Sequence, residues 1–320
     1  MDNKFKYRKL CEKEKSIPVF SKDWWLDAVV GEENWEVSIV EKGNEIVGSF
    51  PFVKKQIYLL DFISNPKLTQ TMGVWLKYPE GQKYATRLAY EKDIVTQLIK
   101  MLPKFDFFHQ YFNYQFTNWL PFYWQDFAQT TRYTYVLEDL PDPDLIFKNF
   151  RDNIRREIKK AQKTLTVSEE NNLDEFYRLN KLIFEKQGKN IPYNFELIKR
   201  IDDACSKRNC RKVFFARDQQ NQIHAVLYLI WDENSAYYLM GGSDPALRNS
   251  GANSLLMWEA IQFAATVTKK FDFEGSMIEP IERFFRSFGA KQVPYFYITK
   301  KSLLIKILFF LRKKLESLQI

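Results

Sequence analysis

Histidine is almost missing from this chain: His109 and His224 are the only two in 320 residues. That leaves little from which to build a metal cluster, so no metal is expected and each histidine reads as a partly buried polar group. Cysteine is scarce too. Cys11, Cys205 and Cys210 are odd in number and irregular in spacing, which excludes a disulfide scaffold. No apolar run approaches the roughly 20 residues of a membrane-spanning helix. The longest, 303–311, is interrupted by Lys306. The opening residues, MDNKFKYRKLCEKEK, have no apolar centre, so no secretory leader is expected and a cytoplasmic location is implied. No serine or cysteine stands in a nucleophile motif, which argues against a covalent enzyme intermediate.

What is present describes a folded, basic, aromatic-rich protein. Hydrophobic residues make up 45% and charged ones 28%, a globular balance, and the 17% aromatic content supplies large cores or stacking surfaces. The net charge of +8 favours an anionic partner such as CoA, a nucleotide, RNA or a membrane surface; a basic surface kept for solubility fits equally. The length suggests about two domains.

The second half carries clear periodicities. Strands are expected at 164–168, 213–217, 223–231, 236–240, 271–273 and 295–299, and helices at 173–187, 194–207 and 254–266, with a short one from 280 closed by Gly289. The first half echoes this weakly. It has a helix at 24–29 with Ser21 as N-cap, a hairpin of 35–40 with 46–53, and a helix at 85–101. Phe105-Asp106-Phe107 matches Phe271-Asp272-Phe273, and 133–136 resembles 295–298, so the chain reads as two diverged copies of one α/β unit with a mixed sheet. Leu140-Pro141-Asp142-Pro143-Asp144 is the expected linker. Domains are therefore drawn at 1–140 and 141–299, with a basic amphipathic helix at 300–320.

The loop Arg248-Asn249-Ser250-Gly251-Ala252-Asn253 lies between an apolar strand and an apolar helix. That order places free backbone N–H groups at a helix N-terminus, a ready site for phosphate or pyrophosphate. Just beyond the linker, 149–163 is dense in lysine and arginine, with Ile154, Ile158 and Ala161 as its inner face; it is a solvated helix or a basic rail carrying Arg155 and Arg156.

The strand order of the second half, with Arg248-x-x-Gly251 between strand and helix, resembles the GNAT acyltransferase superfamily. The family's pyrophosphate loop is Arg/Gln-x-x-Gly-x-Gly/Ala; Asn253 departs from it at the last position. The duplication, the basic segment Asn153–Ala161 and the late Phe284-Phe285-Arg286-Ser287-Phe288-Gly289 look like the Fem-type (FemABX-like) branch, which has tandem GNAT domains. That branch includes peptidyltransferases that use aminoacyl-tRNA. The resemblance implies an acyltransferase in which strands 236–240 and 271–273 splay apart to hold the donor. Arg248, Ser250, Gly251, Ala252 and Asn253 would bind the phosphates of an acyl-CoA or acetyl-CoA co-substrate, with aminoacyl-tRNA as the alternative donor.

Acyl transfer to an amine needs a bound acyl donor, a neutral amine and a stabilised oxyanion. Glu274, beyond the strand and on the same side as Asp272 by period two, is the candidate to take the ammonium proton, or else caps a turn. Arg286 matches a basic position of the Fem-type Phe-Lys-Lys-Gly-Phe-Gly stretch and could steady the oxyanion or a phosphate. One of Tyr237 and Tyr238 faces the cleft; Tyr238 is taken as catalytic. Trp24, Asp27, Tyr123, Trp124 and Arg132, with Arg155 and Arg156, are candidates to frame the acceptor, although aromatic clusters are more often core. In the tail, Leu303, Leu304, Ile307, Leu308, Leu311, Leu315 and Leu318 share one helical face among lysines and arginines. This suits an anionic membrane surface, a partner helix, or docking on the protein's own domain. A non-catalytic adaptor with the same fold is the third possibility.

Overall fold

The computed structural model describes residues 2–140 and 142–317. Pro141 of the expected linker and Leu318 of the tail lie outside the described residues, as do the side chains of Arg312, Lys313 and Leu315. The chain forms two compact units, Met1–Arg132 with Pro294–Ile320, and Tyr133–Val293. In order, the elements are α1 (Asn3–Lys13), α2 (Asp23–Val30), β1 (Glu36–Lys42), β2 (Glu45–Phe52), β3 (Lys54–Ile57), β4 (Leu60–Ser64), β5 (Trp75–Leu76), α3 (Tyr84–Lys100), β6 (Phe107–Tyr111), α4 (Leu120–Tyr123) and β7 (Ala128–Leu137). Next come α5 (Pro143–Asn149), α6 (Asp152–Ala161), β8 (Leu165–Glu169), α7 (Leu173–Glu185), α8 (Phe195–Ser206), β9 (Arg211–Asp218), β10 (Ile223–Trp231) and β11 (Ala236–Ser243). The described chain closes with α9 (Ala252–Val267), β12 (Phe271–Asp272), α10 (Glu279–Arg286), β13 (Lys291–Lys301) and α11 (Leu303–Ser317).

In the second unit β8, β9, β10 and β11 run antiparallel in that order, β12 joins β11 in parallel, and Val136–Leu137 of β7 closes the edge. β10 is buried along nearly its whole length, which is why its sequence, IHAVLYLIW, is apolar at every position but His224 and not an alternation. α9 covers the sheet and buries residues on almost every side, so it too is apolar all round. α6 buries Ile154, Ile158 and Ala161 and leaves its basic residues outward, as their spacing requires.

The first unit holds an antiparallel sheet β1-β2-β5, and a mixed sheet β3-β4-β6-β13 in which β4 and β6 are parallel. Its core is a cluster of phenyl rings packed edge to face: Phe122 meets Phe112 and Phe127 at 5.2 Å each, and Phe50 meets Phe112 at 5.6 Å. Both units thus have a mixed sheet with one parallel pair, the α/β architecture expected. The closing strand of each copy is traded: 136–137 of the first copy pairs with β12 in the second unit, and 297–301 of the second copy pairs with β6 in the first. Sequence order alone put each strand with its own copy.

Two local expectations are corrected, and one element was not expected. Ser21 does not cap α2; it is buried in a short 3-10 turn, and Lys22 holds the cap position without a side-chain capping bond. Phe105-Asp106 precedes its strand, which starts at Phe107, so the two Phe-Asp-Phe triplets are not equivalent in register. The β3–β4 hairpin was unforeseen, because its tip carries tyrosine and leucine instead of turn-forming residues.

Candidate active site

β11 and β12 pair only at Ala236↔Phe271 and Tyr237↔Asp272. β11 then continues to Ser243 against β10. The chain after β12 leaves it: Phe273 N–H donates to the Tyr135 carbonyl at 3.0 Å, and Glu274 takes a left-handed φ of 63°. The strands therefore part, and one edge of β11 keeps main-chain hydrogen-bonding groups directed into the gap. A bulge between Tyr228/Leu229 of β10 and the facing residues of β11 bends the strand in the same stretch.

Two carboxyl groups lie where the strands part. Asp272 is buried, and its Oδ1 accepts from the Thr134 hydroxyl and, at 2.9 Å, from the Glu274 N–H. Burial pushes its pKa up to about 6, against the lowering effect of those two hydrogen bonds. Glu274 is held well above the usual carboxylate range, first by burial and then by the charges of Asp272 and Asp232. Its Oε2 is buried and has no hydrogen-bond partner among the described residues. Because Glu274 has left-handed backbone, strand alternation does not set its direction; Asp272 instead grips its main chain. Tyr238 packs edge-on against Phe285 with centroids 6.0 Å apart, and burial pushes its phenol up to about 12, so it stays protonated as a donor. Its hydroxyl occupies the space that a Cβ on Gly241 would need.

The predicted anion loop takes shape as a 3-10 turn, Pro245–Ser250, followed by Gly251 and the first turn of α9. Gly251 holds a φ of 78°, and a Cβ there would lie 3.0 Å from the Glu157 carbonyl oxygen of α6. Both facts require glycine. Ser254 donates to Glu157 at 2.8 Å, so α6 and the start of α9 are tied together. Arg248 and Asn253 are exposed, Ser250 and Gly251 half-buried, and Ala252 is buried as the first residue of α9.

The remaining candidates are dispersed. Arg286 is exposed and paired with Glu282 at 2.8 Å. Arg155 is held by Asp152 and the Lys148 carbonyl, and with exposed Arg156 it borders a cleft of about 420 Å³ also lined by Lys148 and Lys159. In the first unit, Asp27 is fully engaged: Arg8 grips both oxygens at 2.6 and 3.0 Å, and Trp35 Nε1 donates to it at 2.8 Å. Trp24 packs on Trp25, and Tyr123 and Trp124 are exposed beside the buried Phe122. Arg132 lies 5.8 and 5.7 Å from the rings of Tyr111 and Tyr297, which stack on each other at 4.5 Å. Its Nε is buried without a hydrogen-bond partner among the described residues.

Sequence reasoning missed Asn180 and Tyr193. Asn180 Nδ2 donates to the Gly241 carbonyl at 2.6 Å, and the Tyr193 hydroxyl donates to Asn180 Oδ1 at 3.0 Å, fixing α7 against β11. Gly242 makes the approach possible, since a Cβ there would sit 2.6 Å from the Asn180 nitrogen. The available signal was an asparagine on the buried face of an amphipathic helix, beside Phe176 and Leu179. Among the described residues no group of three or more His, Cys, Asp or Glu could hold a metal ion.

Comparison with known proteins bears on the fold. Residues 148–277 match the model of the acetyltransferase (GNAT) domain. No curated protein matches the sequence. Among solved structures, FemX superposes with a TM-score of 0.66 at 13% identity, over 93% of this chain and 96% of its own. The C-terminal domain of an Agrobacterium fabrum protein assigned as a lysylphosphatidylglycerol synthetase gives 0.56 at 12% identity, over 96% of each chain. L-PGS from Bacillus licheniformis gives 0.52 at 10% identity, over 97% of this chain and 95% of its own. Residues 148–277 thus match an acetyltransferase (GNAT) domain, and the chain as a whole has a Fem-like fold.

Proposed function

We propose that the protein transfers an acyl group from an acyl-CoA thioester to an amine on a cell-envelope or sugar-derived precursor, by direct attack in a ternary complex. The observation that carries this reading is Glu274, with an unpartnered buried oxygen and a raised pKa, beside the gap between β11 and β12. The donor lies in the gap, its carbonyl on the free edge of β11 and its pyrophosphate over Ser250–Asn253 with Arg248 as counter-charge. The amine nitrogen bonds to the acyl carbon, the carbon–sulfur bond breaks, and Glu274 takes one amine proton. The Tyr238 hydroxyl protonates the leaving sulfur. Arg286, already paired with Glu282, adds positive charge near the donor. Trp24, Tyr123, Trp124 and Arg132, within residues 1–140, are the acceptor candidates, while Asp27 serves as a structural ion pair. Arg155 and Arg156 belong to the same substrate set. The protein works in the cytoplasm, with α11 as its contact to an anionic membrane surface.

Aminoacyl-tRNA is the second donor. The basic cleft of Lys148, Arg155, Arg156 and Lys159 favours it, as does likeness to FemX and to proteins with lysylphosphatidylglycerol synthetase names. Thermal-shift titration with CoA, acetyl-CoA and aminoacyl-tRNA separates the two. CoA ligands are expected to raise the melting temperature; no shift with any CoA, and salt-dependent tRNA binding, would overturn the CoA assignment.

A further inference from the structure

The β3–β4 hairpin of the first unit closes on Tyr58 and Leu59, because Ile57 pairs with Leu60. Two-residue turns favour asparagine and glycine, since their backbone enters the left-handed region. Here Tyr58 occupies that region with a φ of 55°. The strained tip buries nothing: Tyr58 is 94% and Leu59 92% exposed, with Ile57 exposed beside them. A backbone cost carried for no internal packing points to an external contact.

The same unit presents a second apolar surface. Seven apolar residues between Leu303 and Leu311 of α11 are exposed, while Ile305 is buried. At 100° per residue they span roughly 260° of the helix circumference, whereas a packed amphipathic helix needs an apolar stripe of about 100°. A protein groove would cover one side of such a helix; a lipid interface accommodates the wider arc. Phe62 of β4, Phe107 of β6 and Phe309 of α11 form a chain of ring contacts at 6.1 and 5.8 Å, linking the hairpin sheet to the helix. Lysines accompany the apolar groups. Lys55 and Lys306 are exposed, and Lys301 lies 3.9 Å from the Phe309 ring centroid and 5.4 Å from that of Phe107. Asp61 neutralises Lys54 at 2.9 Å, so the others set the positive sign. No described helix is long and apolar enough to cross a membrane.

We propose that the hairpin tip and α11 form one docking face that seats the first unit on an anionic lipid bilayer. Tyr58, Leu59 and the outer side chains of α11 enter the interface, and the lysines meet lipid phosphates. This rests on the membrane-surface part of the reading above and is independent of the acyl donor.

The test is co-sedimentation of the full chain with vesicles of phosphatidylcholine alone and of phosphatidylcholine with phosphatidylglycerol. Binding is expected only to the anionic vesicles and is expected to weaken with salt. The double variant Tyr58→Gly/Leu59→Ser supplies the residues preferred by a turn that is left-handed at its first position only. It is expected to keep or raise the melting temperature, to retain any CoA-induced shift, and to lose at least tenfold in vesicle affinity. Leu303→Ser/Phe310→Ser is expected to lose binding in the same way. Absence of binding to anionic vesicles, or undiminished binding of both variants, overturns the proposal. So does sedimentation velocity showing a self-associating wild type that both variants make monomeric, since that assigns the face to a second copy of the chain.

Discussion

Asp272→Asn separates the electrostatics of the candidate active site from its packing. The amide keeps a carbonyl oxygen to accept from Thr134 and from the Glu274 N–H, so the local geometry survives. What disappears is a buried titration. An aspartate with an ordinary value of 3.8, pushed to about 6 by burial, is harder to ionise folded than unfolded. Its contribution to stability is whole below about pH 4 and is lost as the pH rises to about 6. At about 1.36 kcal/mol per pH unit, the loss is about 3 kcal/mol above that window. The variant is therefore expected to be more stable than the wild type by up to about 3 kcal/mol at neutral pH and equal to it near pH 4. Glu274 also loses a like-charged neighbour, so its raised pKa falls and the acid limb of acyl transfer moves to lower pH. Denaturant unfolding across pH 4 to 8 reads the first effect, and thiol release from acyl-CoA against pH reads the second. A variant whose stability still declines like the wild type between about pH 4 and 6, with an unmoved acid limb, would refute the reasoning.

Glu274→Gln is expected to lower acyl transfer by about 10² to 10⁴-fold while donor affinity, read by calorimetry, holds; an unchanged rate removes Glu274 as the base. Arg248→Ala is expected to weaken CoA binding several-fold and to flatten its salt dependence, measured by titration at two ionic strengths. Gly242→Ala places a Cβ 2.6 Å from the Asn180 backbone nitrogen and is expected to cost about 1–3 kcal/mol in unfolding free energy by separating α7 from β11. Equal stability of that variant would show that the strand and helix can move apart freely.

The site has a consequence for stability as well as for chemistry. Keeping two carboxyl groups of raised pKa beside a gap in the sheet opposes folding at neutral pH. A positively charged acceptor entering the gap would supply the missing counter-charge to Glu274, so amine binding is expected to stabilise the protein more where Glu274 is ionised than at acid pH, where it is protonated.

Periodicity was enough for most elements of the second unit. The run 223–231 is apolar but for His224 and the spacing of Ile154, Ile158 and Ala161 is helical, and each was legible because burial writes itself into consecutive residues. Gly289, left-handed just beyond α10, marked the end of that helix. The β3–β4 hairpin was not legible, because Tyr58 and Leu59 violate the local turn rule. Nor was the outward direction of the α11 face that carries Leu303, Leu304, Ile307, Leu308 and Leu311: periodicity finds a face but does not say what covers it.

By itself, the sequence determined which segments are strands and helices in the second half, the strand–loop–helix around the candidate anion loop, and the candidacy of Glu274. Only the tertiary structure decided that β11 and β12 part after two pairs, that Asn180 and Tyr193 brace the gap, that Asp27 belongs to Arg8, and that the closing strands are traded between copies. The physical reason is range. Propensity and periodicity act over a few residues, whereas a carboxyl's pKa and a strand's partner depend on groups such as Thr134 and Asp272, 138 residues apart in the chain and hydrogen-bonded in the fold.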